Sequence, residues 1–264
     1  MSERGGKQGL MWLVGIENAN IPDMDVDELT WTGHRERWRE DLALASELGA
    51  TGVRYGITWP EVETAPGRYD FSRVDAVLDE MARLGLEPVW DLVHFGVPHF
   101  LTGGYLDPDF PAAYAAYAEA FASRYRGVVT KLTPWNEPYI SVYFRAGWGI
   151  WPPHLKGRDG FVRLLAPVLR ALHEGMSRVR RAAPETEFWL NDGADSFHPV
   201  RPEVAAEAAF RTSQRYAAFD VLHGLAVPGH ETHEWLAAAG FPSNELERYA
   251  AEPVPADVIG LDYY

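Results

Sequence analysis

Cysteine is absent from the 264 residues, which excludes disulfides, thiolate metal sites and a cysteine nucleophile. The absence does not by itself separate cytosol from exterior. Positive charge is scarce: 24 Lys and Arg stand against 38 Asp and Glu, and the formal net charge of −14 repels phosphate backbones and anionic lipid heads over most of the surface. Nucleic acid and membranes are therefore not expected as partners. No apolar run reaches the roughly 18 residues of a membrane helix, and the opening MSERGGKQG lacks the apolar core and cleavage site of a secretory signal. On that reading the expected location is cytoplasmic.

What the chain does have is core material. Hydrophobic residues make up 47% of it, with 10 Trp, 12 Tyr and 12 Phe, enough for one large core or two small ones. Short apolar runs alternate with longer amphipathic ones from end to end, which predicts repeated βα units rather than a sandwich or a bundle. Six strands are expected, at residues 10–16, 51–57, 88–94, 128–135, 187–191 and 257–262. Helices are expected over about 34–48, 111–125, 161–182, 202–222 and 233–239, with another opened by Ser72 as N-cap and stopped by Gly85. The length is near the ~250 residues of a complete (β/α)8 barrel, yet six units use all of it. The expected fold is α/β, of the (β/α)8 TIM-barrel type with about six βα units present. No linker, low-complexity tract or repeat of roughly 20 to 50 residues interrupts it, so residues 1–264 read as one incomplete barrel domain.

In a parallel α/β barrel the reactive groups project from the C-terminal ends of the strands. Here those ends are polar. The first run closes with Glu17-Asn18 and Asn20, the second carries Arg54 and is followed by Trp59-Pro60, and the third closes with His94, preceded by Asp91. The fourth ends in Asn136-Glu137, the fifth in Asn191-Asp192 and the sixth in Asp262-Tyr263-Tyr264. Carboxylates and amides bridge vicinal hydroxyls while Trp and Tyr faces stack on sugar C–H faces, so this mixture suits a small neutral polyol.

Each residue also has a plainer reading. Glu137, between Trp135 and Pro138, is placed where partial burial favours the protonated form that gives a proton to a leaving oxygen. The tripeptide Asn-Glu-Pro is equally a strand end turning into a loop. Arg54 is half of a buried ion pair or the group that keeps a site carboxylate ionised, and the two are compatible. His94 is a satisfied core histidine or a ligand. By alternation Asp91 points with Val89 and Val93, away from Trp90, Leu92 and His94, which favours a structural role. The cluster His230, Glu231, His233 and Glu234 has the wrong spacing for a zinc protease helix and reads as a solvated helix start. Gly103-Gly104 is a turn signal, and neither a dinucleotide fingerprint nor a phosphate loop is present. No metal or organic cofactor is implied. The loop SVYFRAGWGIWPPHLKG is too long for an ordinary βα connection and is expected to be functional.

Several segments together resemble the retaining β-glycosidases of glycoside hydrolase family one, from about residue 15 to residue 264. They are TGVRYGITWPEVETAPGRYDF at the second strand, LVHFGVP at the third, GGYLDPDF after it, TPWNEP at the fourth, LLAPVLRALHEGM on the following helix and VIGLDYY at the sixth strand, in family order. The resemblance implies that Glu137 is the general acid/base and that Asn136 contacts the 2-hydroxyl. It further implies that Arg54 steadies the nucleophile, His94 binds a hydroxyl of the sugar in the −1 subsite, and Tyr264 lies close to the nucleophile. Glu17 lies near the place of a sugar-binding amide, and Asp262 stands where many members have Asn. Trp148 and Trp151 would face an aromatic or glycosidic +1 partner. The substrate so implied is a small β-glycoside, β-glucosides among them.

The departure is at the C-terminus. The family's nucleophilic Glu lies on strand seven, and strand eight adds a sugar-binding segment; neither is found in this sequence. Three readings follow: a truncated β-glycosidase carrying the acid/base half of its site, a non-catalytic sugar-binding or pseudo-enzyme module, or an internal pair in which Glu17 serves as the second acid. Six strands leave open edges, so self-association and low stability are expected.

Overall fold

The structure is a computed structural model that describes residues 10–263. Six strands, β1 (Leu13–Ile16), β2 (Gly52–Gly56), β3 (Glu87–Asp91), β4 (Lys131–Thr133), β5 (Glu187–Gly193) and β6 (Val258–Asp262), form one parallel sheet in chain order. It curls into part of a (β/α)8 barrel. Sequential parallel neighbours require crossovers, and the crossovers are made by α1 (His34–Glu47), α2 (Ser72–Leu84), α3 (Phe110–Arg124), α5 (Gly157–Ala182), α6 (Ala205–Leu222), α7 (Glu231–Ala238) and α8 (Ser243–Ala251), with a short α4 (Pro138–Val142) at the C-terminal end of β4. Two small antiparallel pairs, Asn20–Ile21 with Val26–Asp27 and Glu63–Ala65 with Arg68–Tyr69, decorate the loops after β1 and β2.

The core lies between sheet and helices and is rich in aromatic rings. Trp59, Trp90 and Trp135 are fully buried; Trp59 stacks on Tyr117 with centroids 5.1 Å apart, and Trp135 meets Tyr114 edge-on at 5.4 Å. Helices α3 and α5 approach closely at Gly175, where an added Cβ would stand 2.5 Å from the Tyr114 ring. The sheet is less well covered at its two ends. Ile259 and Leu261 on β6 are 55% and 65% exposed, and Leu13 on β1 is exposed as well, whereas β2 and β3 are mostly buried. The two edge strands thus face outward with apolar side chains.

The strand positions match expectation while several ends shift for local reasons. β4 is confined to three residues because Pro134 has no amide to give the ladder. β3 ends at Asp91, three residues before His94, so the alternation expected to keep those two apart does not operate there. Ser72 is the first residue of α2 rather than its cap; its amide donates to Asp70 Oδ1 at 2.9 Å. Helix α8 was not expected. At α7, His230 caps the helix by accepting from Thr232 N, and no group of three or more metal-ligating side chains occurs among the described residues.

Candidate active site

The C-terminal ends of the strands enclose a cavity of about 620 Å³. Seven of the expected site residues line it: Glu17, Arg54, His94, Asn136, Glu137, Trp151 and Asp262. Tyr264 lies outside the described residues. Glu28 and Asp195 also line the cavity and were not singled out in the sequence. Phe95, Phe144 and Trp151 form an aromatic wall in which Trp151 meets the other two rings edge-on at 5.1 and 5.0 Å. That wall offers apolar faces beside a polar floor, as sugar binding requires.

The floor is a single hydrogen-bonded network. Arg54 Nη2 donates to Asp91 Oδ2 and to Asn136 Oδ1, both at 2.8 Å, and approaches Asn191 Oδ1 at 3.3 Å. Asn191 Nδ2 donates to Asn136 Oδ1 at 3.0 Å and also to Asp262 Oδ2. His94 lies between two carboxylates, with Nδ1 2.7 Å from Asp91 Oδ2 and Nε2 2.6 Å from Glu17 Oε1. Burial works against charge on this imidazole, but the bonds to Asp91 and Glu17 outweigh it and push His94 up to about 9. A protonated His94 donates from both nitrogens, so the 3.1 Å approach of Asn136 Nδ2 to Nε2 is a contact between two donors rather than a further bond. The bond from His94 in turn holds Glu17 below its ordinary range. Asp91 is therefore the hub of the floor: fully buried, it accepts from Arg54 and His94 through one oxygen. The expectation that it points away from His94 is corrected, because β3 ends at Asp91 and a bend at Leu92 breaks the alternation, leaving the imidazole bonded to Asp91.

Glu137 sits immediately before α4 and is 5% exposed. Its backbone is left-handed, with φ 44°, a region that non-glycine residues enter only when their surroundings enforce it. Asn136 forms a parallel bridge with Asn191, Ser141 N donates to the Glu137 carbonyl at 2.8 Å, and Tyr139 N donates to Asp192 Oδ2 at 2.7 Å. Arg215 of α6, fully buried, reaches Asp195 at 2.5 Å and the carbonyl of Gly193. The end of β5 thus braces the turn that carries Glu137. Asn191 and Asp192 were visible as polar residues closing a strand; the bonds they make across to the next unit were not.

The chain is similar to known proteins over most of its length. The family model described as glycosyl hydrolase family 1 matches residues 3–264. A beta-glucosidase of Agrobacterium sp. is 25% identical over 247 residues, covering 88% of this chain and 52% of its own length. A rice protein named "Probable inactive beta-glucosidase 14" is 26% identical over 133 residues, 47% of this chain and 26% of its own. Among solved structures, a family 1 b-glucosidase from Thermotoga maritima in complex with isofagomine lactam superimposes with a TM-score of 0.80 at 18% identity, covering 97% of this chain and 65% of that one. The chain spans about half the length of the curated relatives that match most of it.

Proposed function

The chain belongs to glycosyl hydrolase family 1, and from that premise we propose that it carries the acid/base half of a retaining β-glycosidase site, with a small β-glycoside such as a β-glucoside as ligand. The observation that carries the reading is the convergence of Glu137, Asn136, Arg54 and His94 on one cavity with an aromatic wall. Glu137 gives its proton to the glycosidic oxygen as the C1–O bond breaks. A second carboxylate takes C1, and in retaining enzymes it stands about 5 to 5.5 Å from the first. Water then releases the sugar and returns a proton to Glu137. Asn136 holds the 2-hydroxyl, His94 and Glu17 hold hydroxyls of the −1 sugar with Asp262 beside them, and Trp151 faces the leaving group. Arg54 belongs to the side of the second carboxylate, a role this reading assigns to none of the described residues.

A second reading is a sugar-binding module without turnover, in which the same polar floor and aromatic wall only bind. An assay of the full chain with aryl β-glucosides, run beside a sugar-binding titration, decides. Turnover that appears only when azide is supplied as an external nucleophile, and that Glu137→Gln abolishes, supports the first reading. Turnover by the unaided chain that both Glu137→Gln and Glu17→Gln abolish while sugar binding is retained would make Glu17 the second carboxylate. Saturable binding without turnover, with azide or without it, supports the module, and neither binding nor turnover overturns both.

A further inference from the structure

Asp192 has no part in the chemistry above, yet it is 2% exposed and both its oxygens are anchored on backbone amides. Oδ2 accepts from Tyr139 N at 2.7 Å and Oδ1 from Gly193 N at 2.9 Å. These amides bracket Glu137. Tyr139 follows it by two residues on α4, and Gly193 lies so near that a Cβ built there would stand 3.8 Å from Glu137 Oε1. Glu137 occupies the cap position of α4 with no side-chain cap bond of its own, so the Tyr139 amide depends on Asp192 for its partner.

We propose that Asp192 is a positioning residue for Glu137, clamping the left-handed turn that presents its carboxyl to the cavity and setting a second carboxyl group beside it. This rests on the reading of Glu137 as the acid. Burial pushes Asp192 well above the ordinary carboxylate range; the two amide bonds pull it down, and charge on Glu137 pushes it up again. Around the clamp stand Arg215 and Arg211 of α6, the phenols of Tyr139 and Tyr143, and Asp195, which is paired with Arg215. Two interacting groups titrate as a pair, so removal of the Glu137 charge is read at Asp192.

Carbon-13 NMR titration of the side-chain carboxyls in the full chain tests the charge coupling, and amide hydrogen exchange at Tyr139 tests the clamp. In Glu137→Gln the Asp192 midpoint is expected to fall by roughly one pH unit. In Asp192→Ala the Tyr139 amide is expected to exchange about tenfold faster. An Asp192 midpoint unchanged by Glu137→Gln, or unchanged exchange at Tyr139 in a folded Asp192→Ala chain, would overturn the proposal. If Asp192→Ala does not fold, the Glu137→Gln titration decides alone. Neither readout needs sugar or turnover, so a failure of the glycosidase reading would leave both measurable.

Discussion

Arg54 Nη2 and Asp91 Oδ2 meet at 2.8 Å across neighbouring strands β2 and β3, and that same oxygen receives His94 Nδ1 at 2.7 Å. One buried carboxylate oxygen thus serves two cationic groups that both line the cavity. Replacing Asp91 with Ala leaves Arg54 and His94 without their shared counter-charge. Removing one partner of a buried ion pair costs about 3–5 kcal/mol, so urea unfolding of Asp91→Ala is expected to show a loss in that range. A loss below about 1 kcal/mol, the range of an exposed pair, would remove Asp91 from its place as hub.

The raised His94 has a definite pH signature. A group whose folded value lies above its unfolded one contributes stability that is complete below the unfolded value, near 6.5, and lost as pH rises through the folded value, about 9. Thermal unfolding of the full chain is therefore expected to weaken between pH 6.5 and 9, by at most about 3 kcal/mol. Replacement of His94 by Gln should flatten the profile in that interval. An identical slope in wild type and variant would contradict the assignment.

Helices α3 and α5 meet at a point with no room for a methyl group. Gly175→Ala puts a Cβ within 2.5 Å of the buried Tyr114 ring, which cannot swing aside as a flexible chain end would. Overpacking of this kind costs about 1–3 kcal/mol, measurable as a lower urea midpoint with unchanged slope. A neutral substitution would show that α5 slides freely over α3.

The exposed edge strands predict association. Ile259 and Leu261 on β6 present apolar side chains next to unpaired backbone groups, an arrangement that templates pairing with another chain. Sedimentation of the wild-type chain is expected to depend on concentration, and Leu261→Lys is expected to reduce that dependence. A wild-type chain that stays monomeric across the range would contradict the prediction.

Much of the site was legible because its residues follow apolar runs. Arg54, His94, Asn136, Glu137 and Asp262 each stand on or just after a strand, where barrel geometry sends side chains to one rim. The role of Asp91 was not legible. Its alternation argument assumed that β3 continued to His94, whereas the strand ends at Asp91 and a bend at Leu92 places the imidazole within reach of the carboxylate. Asp192 shows a second limit. Its bond to Tyr139 joins residues 53 apart in sequence, and nothing local to either predicts it. Helix α8 escaped notice because its apolar positions, Leu246 and Tyr249, are few and follow closely on another helix.

The central claim is that this chain holds a sugar at the Glu137 cavity. Nitrogen-15 NMR of the Asn136 side-chain amide and the Trp151 indole during titration with an aryl β-glucoside tests it most directly. Saturable shifts of both signals at a common midpoint, with the Trp151 shift lost in Asn136→Ala, are the expected result. Signals that do not move, or that drift linearly without saturation, would contradict the account.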